Sequence, residues 1–375
     1  MSTDDSMLKF PRRLLLAAGL GFGVTMMTQA RASAADEFSD LDSKAAMLRT
    51  FAPVFFTGMT KAGNRLFAIG EHGVIIYSDN AGQSWVQAQV PVDITLTDIA
   101  FATTEIGWAV GHCGVVLKTI DGGANWQLQL TGFQVNDIAL AAALAATSAG
   151  AIMSVSPAID LAVKRADFFK KAGPNKPFLT IMVLDTQRVM VFGAYRLAMC
   201  SDDGGKTWRD MSLAIYDRLS HNLYGVAKIG EDIYIAGEEG LVFRSTDDGA
   251  SFPQVTSPVN VTLFGVIGGA DGSILVYGVA GNCWRSTDSG QSWQQIALNI
   301  QDNLVAARRS PSGEIMLVRE SGGLYLSKDN GASFVSAQNM PQMLISDFEI
   351  TNSKALTFAG SGIPISLPLQ TLFAS

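Results

Sequence analysis

The sequence predicts an all-β fold, a seven-bladed β-propeller with one helical insertion. Three observations carry that expectation. A short motif recurs six times, its copies lie about 40 residues apart, and a G-x-x-G step precedes them at a fixed distance.

The motif reads Ser/Thr, any, Asp, any, Gly, any, Ser/Thr, aromatic. Four copies are complete: Ser201-Asp203-Gly205-Thr207-Trp208, Ser245-Asp247-Gly249-Ser251-Phe252, Ser286-Asp288-Gly290-Ser292-Trp293 and Ser327-Asp329-Gly331-Ser333-Phe334. Two earlier copies are looser. Ser78-Asn80-Gly82-Ser84-Trp85 has Asn in the acid place, and Thr119-Asp121-Gly123-Asn125-Trp126 has Asn in the second hydroxyl place. Trp85 to Trp126 is 41 residues, Trp208 to Phe252 is 44, and the next two steps are 41 each; Trp126 to Trp208 is 82, twice 41. A period near 40 is that of a four-stranded propeller blade.

Chemically the motif is a self-sealed turn, an Asp-box. The Asp or Asn side chain accepts backbone N–H groups, the Gly takes a left-handed conformation, and the aromatic plugs the space between sheets. Five residues before each motif stands Gly73, Gly114, Gly240, Gly281 or Gly322, with Arg196 as the exception. Eight residues before stands Gly70, Gly111, Gly193, Gly237 or Gly278, with Arg319 as the exception. Each step joins two strands, such as Leu66–Ile69 to Val74–Tyr77, by a hairpin in which glycine accepts positive φ. A seventh unit, Ile345–Phe373, keeps the strand pattern while its box has decayed. Asp36–Phe51 is expected to supply or support the strand that closes the ring and removes its open edges.

One interruption falls between blades two and three, over 131–177. Asn136-Asp137 is placed to cap an Ala-rich helix running to about Met153. Ser156-Pro157 starts a second through Lys171, stopped at Gly173. A helical insertion reads better here than an eighth, degenerate blade. Ile138–Met153 is the most apolar segment beyond the N-terminus; it reads as a packed element, with a membrane contact as the alternative.

Residues 1–34 read as an export signal: Lys9, Arg12 and Arg13, then apolar Leu14–Thr28, then Ala32-Ser33-Ala34. Arg12-Arg13 hints at the twin-arginine route. Residues 35–375 then form the propeller, expected to be a soluble monomer in the periplasm. The net charge of −7 disfavours a nucleic-acid partner. Three cysteines, an odd number in separate repeats, read as isolated thiols. Three histidines give thin support for a metal, and neither metal nor cofactor is expected.

The repeats Ile69-Gly70-Glu71-His72-Gly73 and Gly107-Trp108-Ala109-Val110-Gly111-His112 resemble the photosystem II stability/assembly factor family of BNR-like propellers. So do Gly173-Pro174-Asn175-Lys176-Pro177-Phe178, Gly193-Ala194-Tyr195 and Asp203-Gly204-Gly205-Lys206-Thr207-Trp208. The resemblance implies a non-enzymatic, exported propeller that assists assembly of a membrane-protein complex, in the thylakoid lumen if the host is photosynthetic. It also implies an arginine-rich patch facing the partner; here the arginines do not cluster along the sequence.

Asp-boxes occur in sialidases too, and a glycoside hydrolase or a carbohydrate-binding propeller is the alternative. Tyr195, Glu238, Glu239, Arg196 and Arg319 are the pieces such an enzyme would use, and their spacing matches no sialidase pattern. The G-x-x-G turns fall at the end opposite the Asp-boxes, the usual ligand face of a propeller. The residues expected to form a partner-binding rim are Glu71, His72, His112, Tyr195, Arg196, Glu238, Glu239, Arg319 and Glu320.

Overall fold

The computed structural model describes residues 38–149, 157–215, 217, 219–352 and 354–373. The expected export signal lies outside them, as do Met153 and Ser156.

Seven antiparallel sheets follow one another along the chain. Blade one is β1 (Phe56–Ala62), β2 (Arg65–Gly70), β3 (Ile75–Ser78) and β4 (Val86–Gln87); blade two is β5 (Leu96–Phe101), β6 (Gly107–Gly111), β7 (Val116–Thr119) and β8 (Gln127–Leu130). Then come α1 (Gly132–Ala149) and α2 (Pro157–Ala172). Blade three is β9 (Phe178–Val183), β10 (Val189–Gly193), β11 (Ala198–Ser201) and β12 (Arg209–Asp210); blade four is β13 (Leu223–Ile229), β14 (Asp232–Gly237) and β15 (Val242–Ser245). Blade five is β16 (Leu263–Gly268), β17 (Ile274–Gly278), β18 (Cys283–Ser286) and β19 (Gln294–Gln295); blade six is β20 (Leu304–Arg309), β21 (Ile315–Arg319), β22 (Leu324–Ser327) and β23 (Val335–Ser336). Blade seven is β24 (Ile345–Asn352), β25 (Ala355–Gly360) and β26 (Ile365–Pro368), followed by the short helix α3 (Leu369–Leu372). Blade four lacks a full outer strand because Pro253 interrupts it, leaving the bridge of Phe243 to Gln254.

The first strand of each blade faces that of the next, and β24 faces β1, so the ring shuts. Closure differs from the sequence expectation. Residues 40–51 contain no strand; they lie along blade one, where Ala45 N donates to Val90 O and the Gln87 side chain bonds Leu48 N and Ala46 O. The seam is made by a backbone bridge of Phe55 to Ser361, with Gly362 N donating to Val54 O at 3.0 Å, and by side chains. Asp347 accepts the Met59 N–H at 2.8 Å, Lys61 Nζ donates to Ile350 O, and Ser346 Oγ donates to Phe56 O. Arg308 on β20 holds Asp347 at 2.9 Å. Burial pulls this guanidinium down in pKa, but Asp347 and Glu349 hold it above its usual value.

Every inner strand carries a bulge at its first turn, as at Phe56/Gly58, Leu96/Asp98 and Leu263/Gly265. The bulged residue turns toward the next blade. Thr57 Oγ1 donates to Leu96 O and Thr97 Oγ1 to Phe178 O, while on the far side Tyr224 and Phe264 meet edge to face at 5.5 Å.

The Asp-box does more than seal itself. In all six copies the first hydroxyl and the Asp or Asn bind each other and the turn's own N–H groups, as expected; in blade four Ser245 Oγ donates to Asp247 and accepts Gly249 N–H. The fourth residue is left-handed as well as the fifth, with φ of 59° at Ala81, 58° at Asp248, 61° at Ser289 and 55° at Asn330. That conformation turns its carbonyl toward the preceding blade. Arg65 Nη1 reaches Gly122 O at 2.7 Å, Lys118 Nζ reaches Gly204 O at 2.6 Å, Arg285 Nε reaches Asn330 O at 2.8 Å, and Ser366 Oγ reaches Ala81 O at 3.0 Å. Arg188 holds both the carbonyl and the carboxylate of Asp248.

The box aromatics pack into the same seams. Phe252 meets Phe192 of blade three at 6.1 Å, Trp208 joins Trp108 of blade two, and Phe334 joins Leu275 and Tyr277 of blade five. Trp126 packs on Phe101, which stacks on Phe67 of blade one; Trp293 joins Tyr234 of blade four; Trp85 joins Ala359 of blade seven. Trp126 and Phe252 are buried, and the other four are half-buried.

Two outcomes test these joints. A methyl group at Gly331 would lie 2.5 Å from Leu275 Cδ1 of the preceding blade, at φ +81°, whereas at Gly272, φ +80°, it would meet nothing within 4 Å. Gly272→Ala therefore measures backbone strain alone, about 1 kcal/mol, and Gly331→Ala adds overpacking for a total of about 2–3 kcal/mol in denaturant unfolding. Equal losses would dismiss the interblade contact.

The second outcome concerns acid. Hydrogen bonds from Thr207, Ser251, Ser292 and Ser333 hold Asp203, Asp247, Asp288 and Asp329 at about 2. A depressed folded pKa stabilises above the unfolded value near 4, and that stability is lost as pH falls through 2. Asn80 shows that an amide makes the same bonds, accepting Ser84 N–H and donating to Ser84 Oγ. Replacing all four acids by Asn should flatten the fall in melting temperature between about pH 4 and 2; an unchanged slope would rule the carboxylates out.

Candidate partner-binding rim

The G-x-x-G turns and the links between blades share the end opposite the Asp-boxes. Most of these turns are two-residue hairpins with both central residues at positive φ, the geometry that matches strand twist. The first of the pair is not glycine: His72 (φ 56°), Cys113 (53°), Tyr195 (55°), Glu239 (52°) and Ala280 (53°). The glycine eight residues before each motif is extended instead. At Gly70 a Cβ would lie 2.5 Å from Phe55 O. Blade six, lacking that glycine, turns differently, with Gly322 N donating to Arg319 O.

The nine expected rim residues divide into three groups. Glu238 is a brace: its carboxylate accepts the N–H and the side-chain amide of Asn222. Glu320 accepts from Asn303, and Glu71 from Phe55 N, at the matching places of blades six and one. His72 is exposed and paired with Asp93 at 2.9 Å, whereas His112 is half-buried with its Nε2 enclosed, and the loss of solvent pushes it down to about 4. Arg319 stands 3.8 Å from Asp302. Tyr195, Arg196 and Glu239 come together with Glu238 where blades three and four meet: Tyr195 N donates to Asn222 Oδ1, Arg196 N to His221 O, and His221 Nε2 lies 3.3 Å from Glu239.

The helical insertion covers this place. Thr131 and Gln134 form a capping box, Thr131 N donating to the Gln134 side chain, so α1 begins at Gly132 rather than at Asn136. Asn136 instead ties the helices together, donating to Phe169 O and Gly173 O. Alanines 139, 143, 162 and 166 let both helices lie close on blade three, over Tyr195, Arg196, Asp210 and Ser212.

Arg165 of α2 latches the hairpin to the ring, donating to Ser220 Oγ at 2.8 Å and Ser212 Oγ at 3.2 Å. Burial and the nearby Arg196 pull Arg165 down to about 10. Burial raises Asp210, the counter-charge between them. Arg196 is buried, sits at φ 61° where five blades have glycine, and donates to Ile215 O and Asp217 O while its Nε lacks a partner. Buried Lys176 lies 4.5 Å over the Phe169 ring, which meets Tyr195 edge to face at 5.7 Å.

The structure groups Tyr195, Arg196, Glu238 and Glu239, which the sequence analysis names, with Arg165, Asp210, Asp217, His221 and Phe169, which it does not. The arginine at 196, breaking a glycine column, was the available signal. Cys113, Cys200 and Cys283 are free, and among the described residues no three His, Cys, Asp or Glu gather at metal-binding range.

Fold and rim together define a closed Asp-box propeller, with interblade joints at one end and a helical hairpin seated on the other. Residues 77–153 and 174–344 match the family model described as Photosynthesis system II assembly factor YCF48, and the chain belongs to that family. The gap between the two stretches, 154–173, holds α2.

A curated relative, the Photosystem II assembly lipoprotein Ycf48 of Synechococcus sp. (strain CC9902), is 30% identical over 92 residues, 24% of this chain and 26% of that protein; the alignment thus spans about a quarter of the relative. A solved structure titled YCF48 bound to D1 peptide superposes with TM-score 0.60 at 14% identity, covering 86% of this chain and 94% of the other. YCF48 from Cyanidioschyzon merolae gives 0.58 at 11%, covering 86% and 97%. The GH74 xyloglucanase from Xanthomonas campestris gives 0.60 at 13%, covering 86% of this chain and 53% of the enzyme. At these identities the superpositions describe the fold alone.

If Arg165 is the latch, Arg165→Ala should speed hydrogen exchange across 132–172 by about tenfold, the worth of a lost charged hydrogen bond, and leave the ring strands unchanged. Exchange rising equally in β9 and β10 would mean general destabilisation instead.

Proposed function

We propose that this chain is a non-enzymatic, exported docking factor that holds a membrane-protein complex during assembly or stabilisation. The rim around Tyr195, Arg196, Glu238 and Glu239 makes the contact. The observation that carries the proposal is the uneven use of the two ends. Arg65, Lys118, Arg188 and Arg285 at the Asp-box end are committed to Gly122, Gly204, Asp248 and Asn330. The opposite end leaves Tyr195 46% exposed beside a strained, buried arginine with an unpartnered Nε. An aromatic anchor flanked by buried charge on a rigid frame is the composition of a binding hot spot.

Family membership supports the reading, as does a relative of the same fold solved with a D1 peptide. Export rests on residues 1–34, whose basic start, short apolar run and small-residue end fit a cleaved signal and a periplasmic site.

A photo-crosslinking residue placed at Tyr195 in intact envelopes should yield adducts with an integral membrane protein, and one at Ser292 on the Asp-box end should not. Tyr195→Ala should weaken binding of the recovered protein by about tenfold. Recovery of soluble glycan, or the same adducts from both ends, would reverse the proposal in favour of a carbohydrate-binding propeller.

A further inference from the structure

We infer that blade six carries a second binding site, a cleft beside its Arg319 turn that takes a neutral sugar unit. The repeat shows where this blade departs from its siblings. Arg319 stands where the five other boxed blades have glycine, and Gly323 stands where they have Val74, Val115, Leu197, Leu241 and Asn282. The two exchanged positions meet at the end of the β21–β22 hairpin, where Arg319 N donates to Gly323 O at 3.0 Å. A Cβ at residue 323 would lie 2.2 Å from Arg319 Nε and 2.8 Å from its Cγ. The glycine is therefore the seat of the arginine side chain, and the arginine and the space it occupies come as a pair.

The guanidinium is not consumed by the fold. Its Nε is enclosed and has no hydrogen-bond partner in the chain, and Asp302 stands 3.8 Å from Nη1, too far for a hydrogen bond. Asp302 is engaged elsewhere, accepting the N–H and hydroxyl of Ser321 and the N–H of Asn303. Glu320, the other acid of this turn, is held by the Asn303 amide.

A cleft of about 570 Å³ opens in front of Arg319, within the range of small-molecule sites. Its other polar walls are Ser321, Tyr325, Ser336, Gln338 and Gln342. The frame is fixed: Ala337 N donates to Leu324 O at 2.8 Å and Gln338 N to Leu372 O at 2.9 Å. The link over 337–344 lies so close on the turn that a Cβ at Gly322 would come 2.9 Å from Pro341 O.

Charge and hydrogen-bonding chemistry select the occupant. Arg319 and Asp302 balance each other and the remaining walls are uncharged, so the cleft favours an ion of neither sign. Hydroxyls and amides both donate and accept, and burial raises Tyr325, which keeps its hydroxyl protonated and able to do the same. An extended peptide would need a free strand edge, but β22, which supplies Tyr325, is paired on both sides, with β21 and β23. A compact molecule dense in hydroxyl groups uses such a lining fully. The site lies on blade six, three blades round the ring from Tyr195, so its failure leaves the docking role of that rim untouched.

Titration of the full chain with glucose, galactose, N-acetylglucosamine, cellobiose and lactose, read by saturation-transfer NMR, tests the inference. At least one should bind saturably, with a Kd of about 1 mM or below. R319G/G323V returns the blade to the pair found in blades one and two, and should bind about tenfold more weakly with an unchanged melting curve. Arg319→Met fills the seat without N–H groups and should show the same loss, which decides the matter alone if the double variant does not fold. Absence of saturable binding by all five sugars overturns the inference, as does wild-type affinity in Arg319→Met. Glucuronate binding about tenfold tighter than glucose overturns the neutral class.

Discussion

The ring depends on one repeated act: five of the seven blades lend a side chain to the Asp-box of the next. A propeller blade by itself is a small twisted sheet with two unsatisfied edges and two apolar faces. The left-handed residue in the fourth box position aims its carbonyl across the seam, and Arg65, Lys118, Arg188, Arg285 and Ser366 each donate to it. The aromatic four residues later fills the seam from the same turn. Polar and apolar joints are thereby fixed by one backbone conformation, so blades are coupled to neighbours through a few short-range contacts, as in other repeat proteins. Blade seven closes the circuit although its own box has decayed, because Ser366 still reaches Ala81 and Asp347 still reaches Met59.

This division of labour explains why the two ends differ. At the Asp-box end Arg65, Lys118, Arg188 and Arg285 face carbonyls and acids of the next blade. At the other end the two-residue hairpins put non-glycine residues in left-handed positions, which costs on the order of 1 kcal/mol each and fixes their direction. Tyr195 is held outward in this way, and the following residue, Arg196, is strained as well as buried. A site built on rigid strands, with strain absorbed by the ring, needs no loop to order before binding.

The ring was legible because its information is periodic. Six boxes in phase and two glycine columns fix strand order, turn ends and blade count without any long-range knowledge. The joints were not legible, since Lys118 and Gly204 lie 86 residues apart and nothing local distinguishes a lysine that crosses a seam from one in water. The same reason hid the site. Arg165 reaches Ser212 and Ser220 only after the hairpin folds back over blade three, and Asp210 reads locally as an ordinary strand-end acid. Asn136 reads locally as a cap, while Thr131 and Gln134 supply the cap and Asn136 ties the two helices together. Residues 40–51 lie along blade one, and the seam closes through its own hydrogen bonds.

The hairpin links both halves of this picture. Its inner side packs Val135, Ile138 and Phe169 as well as alanines against blades two and three, and Arg165 latches it there. Its outer side carries three lysine–aspartate pairs beside the exposed Leu161 and Phe168. The hairpin is therefore held by ordinary core burial plus one buried arginine, and that packing fixes Tyr195 and the strained Arg196 at its edge.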